Sequence, residues 1–360
     1  MKVFAVIMAG GVGARFWPKS RENMPKQFID VFGSRTLYQR TFDRISALVA
    51  PENVFVVTNV VQRPLAAAQL PQIPERNIIA EPFGRNTAPC LSVAASAISA
   101  VTRDAVMVVL PSDHLISEED KFLSQLKNAI RLADKKRALV TLGIKPTHPE
   151  TGFGYVHFDR NSVGEDISEY GGYRVESFKE KPDHDTAVKF LQSGDYLWNS
   201  GMFVWRVDVI LEALRKNLTH FGDFSVQLKD SFGKAGFAKV LEEFYLRAES
   251  ISIDYAVMEK AENVLTIPGE FLWSDVGSWD EVYRLSDRDG EGNTLKGDVV
   301  SVNSHNNLVW TEEKTYGLVD VDDLIVVETK EAVLICRRGK SQNVKAIVEA
   351  LKKNDRQDLI

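Results

Sequence analysis

The sequence predicts a doubly wound α/β layer structure followed by a small β module and a terminal helix, and three observations carry that prediction. Short continuous apolar runs at residues 3–8, 54–57, 106–110 and 139–142 have the pattern of strands buried on both faces of a parallel sheet. Helical periodicity fills the gaps between them, which gives the β-α-β-α alternation of a layered sheet with right-handed crossovers. After Asp287 the composition shifts: Asp289-Gly290-Glu291-Gly292-Asn293 is a turn-rich break, beyond which short strand-like runs recur at all-β spacing.

In chain order, Leu37, Phe42, Ile45 and Leu48 recur at helical spacing after Ser34. Residues 87–101 have Pro89 in the first turn and are rich in Ala and Ser, so this helix can pack closely on the sheet. Ser117, followed by Glu118, Glu119 and Asp120, is expected to cap a helix over 122–133. The middle third is less regular, with strands expected at 154–158, 173–178 and 202–207 and helices at 186–191 and 209–215, as an insertion on the sheet's carboxyl edge. The last module should hold strands at 298–302, 307–311, 317–320, 324–328 and 333–336. Ser341 is then expected to cap an amphipathic helix with Val344, Ile347, Val348 and Leu351 on one face, serving either a dimer interface or the module's own core. The expected division is an α/β domain at 1–285 and the β module with its helix at 286–360.

Composition narrows the partners. Lys and Arg total 44 against 50 Asp and Glu, so the net charge of −6 lacks the basic footprint of a nucleic-acid binder, and an anionic ligand would need a local basic pocket. The two cysteines, Cys90 and Cys336, cannot build a disulfide framework or a four-ligand zinc site, and a reducing cytoplasm is expected. The apolar run at 3–9 ends at Gly10-Gly11 ahead of Arg15 and Lys19, which reads as a buried strand rather than a secretion signal. No uncharged apolar stretch approaches the roughly 18 residues of a membrane span, so a soluble protein is expected.

The most informative stretch is Ala9-Gly10-Gly11-Val12-Gly13-Ala14-Arg15-Phe16-Trp17-Pro18, directly after the first strand. Its glycines let backbone N–H groups turn tightly against an anion, and Arg15 adds a fork of donors for phosphate oxygens. It is not a dinucleotide loop, because Phe16 stands where the third small residue should be and the strand ending at Thr58-Asn59 supplies no ribose-binding acid. It is not a Walker loop either: Gly339-Lys340-Ser341 has Leu334 where that motif needs glycine. Downstream, Arg21, Lys26 and Gln27 follow Pro18 and Pro25, and a proline-stiffened loop could hold its cations ready for a triphosphate; the alternative is a solvated loop.

Leu110-Pro111-Ser112-Asp113-His114 follows a central strand, where ligands bind in open α/β sheets, and Asp oxygens suit Mg²⁺; alternatively Asp113 caps the next turn. A second acid, Asp275, lies in Trp273-Ser274-Asp275-Val276-Gly277-Ser278-Trp279. Two carboxylates plus phosphate oxygens are the usual Mg²⁺ arrangement for phosphoryl chemistry. Lys179-Glu180-Lys181-Pro182 pairs a carboxylate for hydroxyls with an ammonium for phosphate. Trp198-Asn199-Ser200-Gly201 supplies an amide able to donate and accept. The histidines show no metal-ligand spacing, and His114 reads as structural or supporting.

Taken together and in order, these segments resemble the sugar nucleotidyltransferases, in the form that uses GTP and mannose 1-phosphate. The resemblance runs from Met8 to about Trp279 through 10–28, Glu81-Pro82-Phe83-Gly84-Arg85-Asn86-Thr87-Ala88-Pro89, 111–114, 151–156, Glu180-Lys181-Pro182, Asn199-Ser200-Gly201, 252–260 and 273–279. It implies a Rossmann-like, mixed doubly wound sheet of the GT-A-like kind with a left-handed β-helix-like module. It also implies GDP-mannose and pyrophosphate as products, Mg²⁺ as cofactor and a homodimer. Nucleotide contacts would come from Ala9, Gly10, Gly11, Gly13, Arg15, Glu81, Gly84, Arg85, Asn86 and Ser112. Lys26 would lie at the phosphates, and Asp113 and Asp275 would hold the metal. Gly152, Tyr155, Glu180, Lys181 and Asn199 would contact the sugar phosphate. The fused isomerase domain of longer relatives has no room in 360 residues, so isomerase activity is not expected. Two other readings stand beside this one: the same fold with dTTP or UTP and glucose 1-phosphate, and a silent nucleotide-sugar-binding subunit.

Overall fold

The computed structural model describes residues 1–11, 13–162 and 165–360; Val12 of the glycine-rich loop lies outside them. The chain divides into two compact units, one made of 1–10, 41–112 and 116–273, the other of 11–40, 113–115 and 274–360. The glycine-rich segment from Gly11 and the segment around Asp275 pack in the same unit as the β module.

In chain order the elements are β1 (Lys2–Met8), α1 (Leu37–Ile45), β2 (Val54–Asn59), α2 (Arg63–Gln69), β3 (Ile78–Glu81), α3 (Thr87–Val101), β4 (Ala105–Pro111), β5 (Leu115–Ile116), α4 (Glu119–Lys136), β6 (Leu139–Ile144), β7 (Tyr155–Asp159), α5 (Glu165–Ser168), β8 (Tyr173–Lys179), α6 (His184–Ser193), β9 (Tyr196–Arg206), α7 (Val207–Asn217), α8 (Phe221–Ser231), α9 (Phe237–Arg247), β10 (Val264–Gly269), β11 (Trp273–Ser274) and α10 (Trp279–Leu285). The C-terminal module continues with β12 (Thr294–Lys296), β13 (Val299–Val302), β14 (Leu308–Trp310), β15 (Tyr316–Val319), β16 (Leu324–Glu328), β17 (Val333–Arg337) and α11 (Lys345–Lys353).

The first unit is built on a nine-stranded sheet in the order β3-β2-β1-β4-β9-β6-β10-β8-β7. Strands β1, β2, β3 and β4 pair in parallel, whereas β9 runs antiparallel to β4 and β6, so the sheet is mixed as expected. The apolar runs that announced β1, β2, β4 and β6 are buried along nearly their whole length. Helix α3 spans the expected residues and is buried almost throughout. Its serines are satisfied inside that dry setting because Ser92 and Ser96 donate back to Ala88 O and Ser92 O, each at 2.8 Å. Helices α3, α7, α8 and α9 share one core with Phe55, Met107, Phe203 and Trp205 of the sheet.

The helix start expected at Ser117 falls elsewhere. Ser117 donates its amide to Leu272 O at 2.9 Å, and the residue flanking α4 is Glu118, in a left-handed conformation, so the acids that suggested a capped first turn begin one residue outside the helix. In the second unit, β12, β14 and β16 stack in parallel with Thr294, Leu308 and Ile325 in register, and β13 stacks on β15. Successive coils are joined by buried amides: Asn293 Oδ1 accepts from Asn307 N at 2.9 Å, and Asn307 Oδ1 accepts from Leu324 N at 2.8 Å. This is the β-helix-like module. Its core of Leu308, Trp310, Ile325, Val327 and Leu334 also contains Phe16, Trp17 and Trp279. Ser341 does not cap α11. It lies in a 3₁₀ turn, and its amide donates to Asp280 Oδ2 at 3.0 Å. The apolar face of the last helix, with Val344 and Val348 buried, covers this unit's own core.

Candidate functional site

In the second unit, the glycine-rich loop, the Pro25 segment and Asp275 are organised around Lys26. Its side chain is almost fully buried, with 6% exposure, and its Nζ lies 2.8 Å from Asp113 Oδ2. The same ammonium donates to the backbone carbonyls of Asp275 at 2.6 Å and Val276 at 3.1 Å. Lys26 therefore gathers the two acids that are far apart in sequence, one through its carboxylate and the other through its main chain. Gly13 adopts φ +58, and a Cβ there would stand 2.7 Å from Lys26 Cβ, so only glycine lets the loop approach the lysine this closely. Val276 holds φ +47, which is costly for a β-branched residue; its amide is tied to Ser274 Oγ at 3.0 Å, and its carbonyl faces Lys26.

Burial would raise the Asp113 pKa, but the neighbouring Lys26 charge, His114 and the Lys26 hydrogen bond together hold it below the usual carboxylate value. His114 Nε2 is 3.8 Å from Asp113 Oδ1. Asp113 keeps 38% exposure and Asp275 is also partly exposed. Among the described residues no group of three or more His, Cys, Asp or Glu side chains is placed to hold an ion. Asp113 and Asp275 each offer carboxylate oxygens, the donors a hard cation prefers. Arg15 is exposed, in a short 3₁₀ turn at Ala14–Phe16 whose Phe16 and Trp17 are anchored in the core.

In the first unit, a second group lies at the end of β3. Glu81 is 7% exposed, and its Oε1 accepts from Tyr245 Oη at 2.6 Å. Burial pushes its pKa up to about 7, against the lowering effect of the Tyr245 bond. Arg85 donates to Tyr245 O at 3.3 Å and lies over the Phe83 ring. Gly84 and Asn86 are exposed, and Asn86 caps α3 by accepting from Thr87 N at 2.8 Å. Gly10 is exposed, and a Cβ there would stand 3.7 Å from Glu81 Oε2.

A third group, also in the first unit, contains Glu180, Lys181 and Asn199. Lys181 Nζ is 2.9 Å from Glu180 Oε1, and this bond raises the Lys181 pKa. A Cβ on Gly154 would collide with Glu180 Oε2, which explains the glycine before β7. Asn199 is fixed from both ends: its Nδ2 donates to Asp254 Oδ1 at 2.8 Å, while its Oδ1 accepts from Thr141 Oγ1 at 3.3 Å. Asp254 has its pKa pushed up to about 6 by burial and by the charge of Glu180. Lys181 holds φ +45, so strained backbone marks this segment, like those of Asn86 and Val276.

Four of the expected contact residues have other partners in the structure. Tyr155 is wholly buried with its ring against Phe190, so its side chain supports the group from within the core instead of facing a sugar. Ala9 and Ser112 are buried and spend their amides on Val57 O and Met8 O, stitching the ends of the strands together. Gly152 is exposed, its amide bonded to Glu150 Oε1 at 2.7 Å. Sequence reading missed Tyr245 and Asp254. The latter lies inside the 252–260 segment quoted for the resemblance; the former, in an amphipathic helix, carries no local signal.

With this geometry in place, comparison with known proteins decides the family. The nucleotidyl transferase family model matches residues 4–292. The chain belongs to the nucleotidyl transferase family. A second model, of the mannose-phosphate isomerase/GMP-like β-helix domain, matches residues 297–351 and so agrees with the stacked coils. This nucleotidyl transferase is 40% identical over 357 residues to the mannose-1-phosphate guanylyltransferase of Salmonella montevideo, an alignment covering 99% of this chain and 75% of that one. It is equally similar, at 40% over 360 residues, to the xanthan biosynthesis protein XanB of Xanthomonas campestris, covering 99% and 74%. A Thermus thermophilus crystal structure described as a mannose-1-phosphate geranyltransferase superposes with a TM-score of 0.85 at 31% identity, over 98% of this chain and all of that one.

Proposed function

We propose that this nucleotidyl transferase joins GTP and mannose 1-phosphate to give GDP-mannose and pyrophosphate. The observation that carries the reading is the 40% identity to a mannose-1-phosphate guanylyltransferase across 99% of the chain. The three side-chain groups supply what such a reaction needs: cations and carboxylates for a triphosphate, a buried acceptor for a base, and hydroxyl and phosphate partners for a sugar phosphate. In this reading residues 1–285 carry the chemistry and 286–360 the supporting module.

The nucleophile needs little help. A phosphate monoester has a second pKa of about 6, so at neutral pH the sugar phosphate is already mostly a dianion and no general base is required. One of its oxygens attacks the α-phosphorus of GTP; the new P–O bond forms as the bond to the β-phosphate oxygen breaks, and pyrophosphate leaves with that electron pair. The difficulty is bringing two anions together, which positioning and charge neutralisation overcome. Arg15 and the loop amides of Gly11 and Gly13 neutralise the triphosphate. Lys26 exchanges its carboxylate partner for a phosphate oxygen, and Lys181 takes the sugar phosphate while Glu180 and Asn199 take hydroxyls. Asp113 and Asp275 would hold Mg²⁺, which when bound supplies further neutralisation of phosphate charge.

No described helix is long and apolar enough to cross a membrane, and we place the enzyme in the cytoplasm. A homodimer is supported by exposed Val300, Val302 and Val319 on the paired strands β13 and β15, and light scattering tests it by the mass in solution. The decisive assay for function compares initial rates of pyrophosphate release across four nucleoside triphosphates and several sugar 1-phosphates. GTP with mannose 1-phosphate should be fastest. A preference for dTTP or UTP with glucose 1-phosphate would replace this reading, and no release with any pair would make the chain a silent binding protein.

A further inference from the structure

Glu81 ends β3 and Arg85 stands in the loop that follows, and both are held by one residue of α9. Tyr245 uses its hydroxyl for Glu81 Oε1 at 2.6 Å and its carbonyl for Arg85 Nε at 3.3 Å. Phe83 completes the arrangement: its ring meets Tyr245 edge-on with centroids 6.0 Å apart, and the Arg85 guanidinium lies 5.1 Å from its centre. Tyr245 is itself wholly buried and packed edge-on against Phe244. Among the described residues, the Tyr245 hydroxyl is the side-chain donor that anchors the Glu81 carboxylate.

We infer that Tyr245 is a positioning residue for nucleobase selection, fixing the Glu81 carboxylate as an acceptor for a purine that presents two adjacent N–H donors. The inference rests on the GTP reading above and deepens it. Guanine offers a ring N–H and an exocyclic amino group side by side, a pair that one carboxylate can accept; adenine offers a bare ring nitrogen at that edge, whose lone pair would face the carboxylate oxygen. The selection works only while Glu81 is ionised, and burial works against ionisation, with the Tyr245 bond opposing it. The titratable groups facing Glu81 are the Tyr245 phenol from α9 and the Cys90 thiol from α3, both kept neutral by burial. Arg85 is tied to this group through the Tyr245 carbonyl. Removing the phenol would thus leave Glu81 protonated at neutral pH and offering a donor where an acceptor is needed.

The test measures KM for GTP in the full-length protein at pH 7 and pH 8.5, for the parent, Tyr245→Phe and Glu81→Gln, with ATP as the competing nucleotide. Tyr245→Phe keeps the ring contacts and should raise KM for GTP about 10-fold at pH 7, the scale of one hydrogen bond to a charged group, with most of the loss recovered at pH 8.5. Glu81→Gln should raise it at both pH values, and both variants should narrow the preference for GTP over ATP. A Tyr245→Phe variant with the parental KM at pH 7, or with an equal loss at both pH values, overturns the positioning role. Should that variant fail to fold, Glu81→Gln decides: a flat KM is expected where the parent's falls as pH rises through about 7, and parallel profiles overturn the inference. A parent that shows no preference for GTP overturns the functional reading itself, which separates the two failures.

Discussion

The Lys26 group and the Glu81 and Asn199 groups handle charge in opposite ways. Around Lys26, a buried cation is matched to two backbone carbonyls and to the Asp113 carboxylate, whose pKa is held below the usual value. Around Glu81 and Asn199, burial outweighs the groups that oppose it, the Tyr245 bond at Glu81 and Asn199 and Lys181 at Asp254, and the two pKa values are pushed up to about 7 and about 6. The contrast teaches where pH should act: on recognition of base and sugar, and much less on the phosphoryl chemistry.

The sharpest way to break this comparison is to remove the two carboxylates of the Lys26 group. Asp113→Asn and Asp275→Asn are each expected to lower kcat by about 10²- to 10³-fold, by analogy with the loss of one preorganised electrostatic contact, while circular dichroism shows the fold intact. Parental turnover in either variant at low Mg²⁺ would remove that acid from the metal site.

Asp254 probes the other side. Its raised pKa favours the protonated folded state, so its contribution to stability is fully present below about pH 4 and is lost as pH rises through about 6. A shift from 3.8 to about 6 corresponds to about 3 kcal/mol. Denaturant unfolding at pH 4 and pH 7 should show the parent losing about that much more stability than Asp254→Asn across the interval. An identical pH dependence in both proteins would show that Asp254 is not the titrating group.

A smaller effect is expected at Lys181, whose side chain is 60% exposed. Lys181→Ala should raise the KM for mannose 1-phosphate about 10-fold with little change in GTP binding, measured by equilibrium titration of the nucleotide. The reverse pattern would move Lys181 from the sugar phosphate to the nucleotide.

How much of this was legible in the sequence follows from the same physics. Strands β1, β2, β4 and β6 were readable because burial on both faces demands unbroken apolar runs, and α3 because its small residues allow close packing. Helices α8 and α9 were not, although α9 carries an apolar stripe of Phe237, Val240, Leu241, Phe244 and Tyr245, because neither has a capping side chain to mark its start. The start of α4 was misplaced because Ser117 finds its partner in Leu272, a residue no local pattern could offer. At the site, Lys26, Asp113 and Asp275 could each be nominated from their segments, but only folding shows that one ammonium reaches both acids. Ser341 and Tyr155 misled for one reason: a residue type suited to a cap or a sugar is equally suited to a buried partner.

The account is tested most directly by pyrophosphate release from GTP and mannose 1-phosphate between pH 6.5 and 8.5, with kcat and the KM for GTP determined separately. It predicts a KM for GTP that falls as pH rises through about 7, following Glu81, beside a nearly constant kcat. A constant KM with a kcat that titrates through the same range would contradict it, placing the titrating group in the phosphoryl chemistry and not in recognition.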